Sequence, residues 1–224
     1  MKYFGSYEAV TPGELIADEG RGGDGTYTEG NKIFSKYLGT VGYNGDVATV
    51  SPIRSIYIPQ EGDEVIGKIT EVSNKYWVVD IGVPYYTRLD ARDLNMRVNP
   101  GELDSVIERD DLIYARIFRV SPGRMADLSM RGSRYSKLPT RTISSVEPVK
   151  LPRLIGKEGA TINAIKTTTK CNILIGQNGI VWIDGDEKNR VAALSVIKLI
   201  DESYYDPNLK EKVDKLLDYV RTKI

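Results

Sequence analysis

Short apolar runs broken by glycine, proline and aspartate fill the middle of this chain, and longer runs with helical spacing close it. An acidic turn at residues 61–64 leads into an alternating run over 65–69, and further runs cover 76–82, 85–89, 112–120 and 125–130. Period-two alternation marks a strand with one covered face. Five short strands separated by such turns predict a small closed barrel, which leaves no long unpaired edge. Downstream, residues 142–149 predict a strand, 151–155 a helical turn, and Ala160 the opening of a second helix. Runs over 171–175 and 180–183 flank Gln177-Asn178-Gly179, and Asn-Gly between apolar runs is a strong hairpin signal. Asp184 or Asp186 can then cap a helix carrying Val191, Leu194, Ile197, Leu199 and Ile200, and residues 207–224 predict a last amphipathic helix. The first sixty residues predict a small β-rich domain, with a hairpin of 32–41 and 46–52 around 42–45. The glycine-dense stretch 19–27 reads as a flexible surface loop, because no Lys-Ser/Thr follows it and no helix opens after it.

Composition narrows the function. With 41% hydrophobic and 28% charged residues the chain is globular, its apolar runs are too short for a membrane span, and no secretory leader is visible, so a cytoplasmic protein is expected. The single cysteine, Cys171, reads as a small buried hydrophobe in a strand. The absence of histidine removes the usual His-based nucleophile, general-base and zinc chemistry, so no catalytic residue, cofactor or metal site is expected. The net charge of zero hides a segregation: residues 1–111 carry 11 Lys/Arg against 19 Asp/Glu, residues 112–176 carry 12 against 3, and residues 177–224 carry 8 against 9. Phosphate is the simplest partner for a local excess of this size.

The stretch Leu151-Pro152-Arg153-Leu154-Ile155-Gly156-Lys157-Glu158-Gly159-Ala160-Thr161-Ile162 lies inside that excess. Its two glycines let another backbone approach closely, and the N–H groups opening the next helix favour an anion. Lys157 at the loop tip and Arg153 are placed to contact phosphate, Ile155 and Ile162 to form the floor of a groove, and Lys166 lies further along the cationic run. Glu158 is an unfavourable charge in such a loop. The element order around the Gly-x-x-Gly resembles a KH domain, which clamps a short single-stranded stretch of nucleic acid.

Residues 62–131 resemble the OB-type barrel of ribosomal protein S-one, through Gly62-Asp63-Glu64-Val65-Ile66-Gly67-Lys68-Ile69, Val78-Val79-Asp80-Ile81-Gly82 and the Gly123-Arg124 turn before Leu128-Ser129. The family's exposed aromatic positions fall here on Lys75 and Val78, and its histidine near Leu89 or Asp90. Tyr76, Trp77, Tyr85 and Tyr86 are the rings left to stack on bases, with core packing as the competing role. Arg88, Arg116, Arg119 and Arg124 are candidates for backbone contact, because a guanidinium can hold phosphate through two hydrogen bonds.

The whole chain resembles the ribosomal-RNA-processing-protein-four family, the S-one/KH RNA-binding cap subunits of the archaeal exosome. The most specific pieces are Val10-Thr11-Pro12-Gly13-Glu14, Gly23-Asp24-Gly25-Thr26-Tyr27, Tyr57-Ile58-Pro59 and the Gly-x-x-Gly segment. The resemblance implies a multidomain chain: a β-rich ring-docking domain over 1–59, a five-stranded OB-fold barrel over 60–135 and an α+β KH domain with a helical extension over 136–224. It further implies three copies on a hexameric ring of phosphorolytic exoribonuclease subunits, with single-stranded RNA captured and threaded but not cut. One cysteine excludes the related cap subunit that carries a zinc ribbon. The alternative is a free-standing RNA-binding regulator of translation or transcription, without a nuclease partner. A polynucleotide phosphorylase fragment would carry its KH module before the barrel, the reverse of this order.

Overall fold

The computed structural model describes residues 2–6, 8–99, 101–203 and 208–223. The chain divides into two compact units, one assigned Met1–Ser55 and Glu202–Leu209, the other Ile56–Asp201 and Lys210–Ile224.

Among the described residues, seven short strands make the first unit: β1 (Ala9–Val10), β2 (Leu15–Ala17), β3 (Arg21–Gly22), β4 (Thr26–Glu29), β5 (Lys32–Ser35), β6 (Gly39–Asn44) and β7 (Val47–Pro52). They form one sheet in the order β1-β6-β7-β3 and another in the order β2-β5-β4, around Val10, Ile16, Ile33, Val41 and Val50. The strand expected over 32–41 is two strands in two sheets. The hairpin turn lies at Gly45 rather than across 42–45, because β6 runs to Asn44. The glycine-dense stretch is also not a flexible loop. It carries β3 and the start of β4, the Gly23 amide donates to the Ala48 carbonyl at 2.8 Å, and a Cβ on Gly25 would meet the Val50 carbonyl oxygen at 2.0 Å. These glycines allow backbone to pack on backbone.

The second unit opens with the barrel: β8 (Glu64–Val72), β9 (Tyr76–Asp80), β10 (Tyr86–Asp90), β11 (Leu112–Ser121) and β12 (Met125–Ser129). Antiparallel pairs β8–β9, β9–β10, β8–β11 and β11–β12 are closed by the parallel pair β10–β12, so the five-stranded OB-type barrel forms as expected. Inward residues such as Val65, Ile69, Trp77, Leu89, Ile113, Ile117 and Leu128 fill it. A short strand, β13 (Ser136–Leu138), pairs with the outer side of β11.

The KH domain follows with β14 (Thr142–Ser145), α1 (Leu151–Ile155), α2 (Ala160–Thr169), β15 (Asn172–Ile175), β16 (Ile180–Asp184) and α3 (Glu187–Glu202). Its sheet order is β14-β16-β15. The first strand stops at Ser145 rather than 149, where Glu147-Pro148 leads into a 3-10 turn and proline has no N–H to give a ladder. The last helix, α4 (Leu209–Lys223), buries Val213, Leu217 and Val220, while the expected ends at Pro207 and Ile224 lie outside the described residues. No described helix is long and apolar enough to cross a membrane.

Barrel and KH domain share a core. Trp182 on β16 packs with Ile66, Leu112, Tyr114 and Leu138. The β15–β16 turn adds polar contacts to β8 and the end of β9: the Asn178 amide donates to the Ile66 carbonyl at 2.8 Å and the Ile81 carbonyl at 3.0 Å, and the Gln177 side chain accepts from the Glu64 amide at 2.6 Å.

Candidate nucleic-acid interface

Strand parity decides what the barrel presents. Trp77, Val79, Leu89 and Leu128 point inward, which turns Tyr76, Val78, Tyr86, Arg88, Met125 and Asp127 to the other face. In the register, Arg88 lies between Val78 on one side and Asp127 on the other. The buried Asp127 carboxylate accepts from Arg88 Nε at 2.6 Å and from Arg119 Nε at 2.8 Å. Burial alone would raise the Asp127 carboxyl. The two guanidinium hydrogen bonds outweigh it and hold the group below the usual carboxylate range. An ionised carboxylate therefore sets two cations side by side on the open face.

Aromatic rings flank those cations. Tyr86 is 45% and Phe118 44% exposed, and the Arg119 guanidinium carbon lies 6.0 Å from the Phe118 ring centre. The Tyr76 and Tyr86 hydroxyls are hydrogen-bonded to each other, which lowers the Tyr76 phenol and raises that of Tyr86. Arg124, left-handed at φ 61° in the β11–β12 turn, accepts the Tyr86 amide on its carbonyl at 2.9 Å. Flat rings beside fixed cations suit single-stranded nucleic acid, in which bases offer π-faces and the backbone offers phosphates.

Several expected positions move. Trp77 is 0% exposed, with its indole N–H donating to the Ile107 carbonyl at 2.8 Å, so it is a core residue and not a stacking platform. Parity explains this, since Tyr76 and Trp77 are neighbours on one strand and only one can face out. Tyr85 stands half-buried in the turn before β10, and the exposed ring there is Tyr86. Arg116 sits at the β8–β11 seam by Gly62 and Tyr135, apart from the Asp127 cluster.

The Gly-x-x-Gly loop is exposed at Lys157 and Glu158. Gly156 has φ 75°, and a Cβ on it would lie 2.3 Å from Thr161 Oγ1, so only glycine lets the first turn of α2 come this close. Glu158 is left-handed at φ 54°, a costly place for a side chain. Beside the loop, Ile155 is 40% exposed and Lys166 half-buried, while Arg153 lies on the surface of α1. Ile162 is only 8% exposed and belongs mainly to the KH core rather than to an open groove floor.

The cationic excess of residues 112–176 is partly internal to the fold. Arg119, Arg131, Arg134, Lys137, Arg141 and Lys150 pair with Asp127, Asp93, Glu64, Asp111, Asp184 and Asp201, and most of those acids come from the flanking segments. Arg116, Arg124, Lys157, Lys166 and Lys170 have no ion pair among the described residues.

Residues 140–199 match the KH domain family. The exosome complex component Rrp4 of Thermococcus kodakarensis is 38% identical over 218 residues, covering 94% of this chain and 84% of that protein. The Rrp4 protein of Methanobrevibacter smithii is 37% identical, covering 97% of this chain and 73% of its own length. The chain belongs to the Rrp4 family. A crystal structure of a protein assigned to the exosome complex as RNA-binding has 29% identity and a TM-score of 0.68, covering 75% of this chain and 99% of that one. In this Rrp4 family member sequence reasoning missed Phe118, Met125 and Asp127 on the barrel face. The signal that could have found them is parity: once Leu128 faces in, its neighbour Asp127 faces out. Among the described residues no group of three or more Cys, Asp or Glu is placed to hold a metal. Cys171 is buried, and burial pushes its thiol up, away from a reactive thiolate.

Proposed function

We propose that this chain is the non-catalytic RNA-binding cap subunit of an exosome, capturing single-stranded RNA and feeding its 3′ end to a phosphorolytic ring. The observation that carries the reading is the Arg88–Asp127–Arg119 cluster with its aromatic flank, in a chain that also holds an exposed Gly-x-x-Gly loop. Family membership supports the exosome as partner. In the proposed arrangement three copies sit on a hexameric ring in the cytoplasm. Residues 1–59 dock on the ring, the barrel face steers RNA through Arg88, Arg119 and Arg124 with Tyr76 and Tyr86 stacking, and Lys157 with Arg153 and Lys166 holds phosphates at the KH loop. Because the cations are partly engaged by acids, the grip is moderate, which suits a strand that must slide.

Two measurements test this. Mixed with ring subunits, the chain is expected to give a complex whose mass corresponds to three caps per ring; a chain that stays alone in the presence of the ring would overturn the assignment. Replacing Lys157 and Glu158 by aspartates is expected to lower affinity for an oligoribonucleotide about tenfold without changing the melting temperature. Unchanged affinity would leave the KH domain with a structural role only.

A further inference from the structure

One end of the barrel holds a cavity of about 360 Å³, inside the range of about 300–1,000 Å³ typical of small-molecule sites. Its floor is apolar: Leu103 belongs to the buried barrel core, and Ala91 and Val98 pack against it. Its rim is polar and comes from two loops. Asn74 and Lys75 stand on the β8–β9 turn, and the Ala91 amide donates to the Lys75 carbonyl at 3.0 Å, which ties the two walls together.

The remaining wall is an ion pair. Asp90 accepts from Arg92 Nε at 3.0 Å and Nη2 at 3.1 Å, and Arg131 pins the Arg92 carbonyl through its Nη2 at 2.6 Å. Asp90 and Arg92 also line a smaller cleft, together with Arg88, Asp93, Phe118, Arg119 and Asp127. The Asp90–Arg92 pair is thus shared between the arginine–aromatic face and the apolar-floored cavity. The two openings are therefore adjacent, with Asp90 and Arg92 common to both linings.

The chemistry selects the occupant. An apolar floor accepts a flat π-face, an exposed amide can read a donor–acceptor edge, and Lys75 with Arg92 supplies cations for groups on either side. One carboxylate already held by a guanidinium makes no metal site, and the polar rim does not suit an alkyl chain. We propose that this cavity receives one unstacked base of the RNA strand whose backbone crosses Arg88 and Arg119, with Asn74 reading the base edge and Lys75 and Arg92 holding the adjoining phosphates. The proposal rests on the RNA-binding reading above and adds a base-selective site to it.

The test uses the full chain and an oligoribonucleotide of about 12 nucleotides, within the span of about 4–16 that one OB fold covers. Ala91→Leu fills the floor, Asn74→Ala removes the amide, and Phe118→Ala with Arg124→Ala strips the open face. In the wild-type chain a single abasic position, scanned along the strand, is expected to weaken binding about tenfold at one register. In Ala91→Leu, affinity for the intact strand falls by the same factor and the abasic penalty disappears. Asn74→Ala is expected to flatten the ranking of adenine-, cytosine- and uracil-only strands, and it decides the matter should the filled variant not fold. Full affinity and an unchanged abasic penalty in a folded Ala91→Leu, or an unchanged ranking in Asn74→Ala, overturn the pocket. If the face variant still loses RNA, the barrel reading survives that result; if it binds normally as well, both fall.

Discussion

Asp127 organises the outer face of the barrel from a position that carries no positive charge. Its pKa is lowered in the fold, so its stabilising effect is present above the unfolded carboxylate value and is lost as pH falls through the folded one. Asp127→Asn is therefore expected to cost about 1–3 kcal/mol at pH 7, and the gap to wild type should narrow below pH about 4, as urea melts at both pH values would show. The arginines of this site were legible from charge and turn position, as Arg88, Arg119 and Arg124 show. Asp127 was not, because a lone acid in a strand reads as a solvated side chain until its register partner is known. Trp77 failed for the related reason that core and exposed aromatics look alike until strand parity is fixed. Gly156 was legible as a position that demands glycine, and the close neighbour the fold gives it is Thr161 of α2.

Among the elements, the β15–β16 hairpin shows where local signals stop. Asn-Gly between two apolar runs announced the turn, and the turn is there. Nothing in that pattern says that Asn178 also serves as donor and acceptor for the barrel backbone at Ile66 and Ile81. Asn178→Ala would leave two carbonyls and an amide short of a partner, and is expected to cost about 1–3 kcal/mol. Hydrogen exchange at the Ile66 amide should speed up while exchange in α3 stays unchanged; equal protection at Ile66 would show that the turn adds nothing to the junction. The N-terminal strands were harder to read. Residues 32–41 form one apolar run, but Lys36 and Tyr37 carry the chain from one sheet to another, and sheet membership is a long-range property. The glycines of 22–25 looked mobile for want of a partner, and their partners are Ala48 and Val50, more than twenty residues away.

At the scale of the molecule, zero net charge coexists with a cationic segment that is half neutralised by its neighbours. RNA binding should depend on the cations of the barrel face and the KH loop and fall with salt at a slope of about −0.7 per phosphate contact on a single strand. Removing Arg124, beside the face, is expected to shallow that slope by about one contact, while removing Arg116, at the β8–β11 seam, should change it less. Titration of affinity against potassium chloride separates the two, and an equal effect would mean that the strand follows a different path. The order of the domains was legible because each carries a local signature. The pairing of acids from 61–111 and 184–201 with bases from 112–150 was not, because it exists only once the chain is folded.

The fused core at Trp182 makes a ruler of the second unit. The Gly-x-x-Gly loop and the arginine face belong to one body, so the length of strand needed to touch both is set by the fold and not by a linker. Oligonucleotides shorter than that length can be held at one end only, and the step in affinity as they are lengthened would measure the distance.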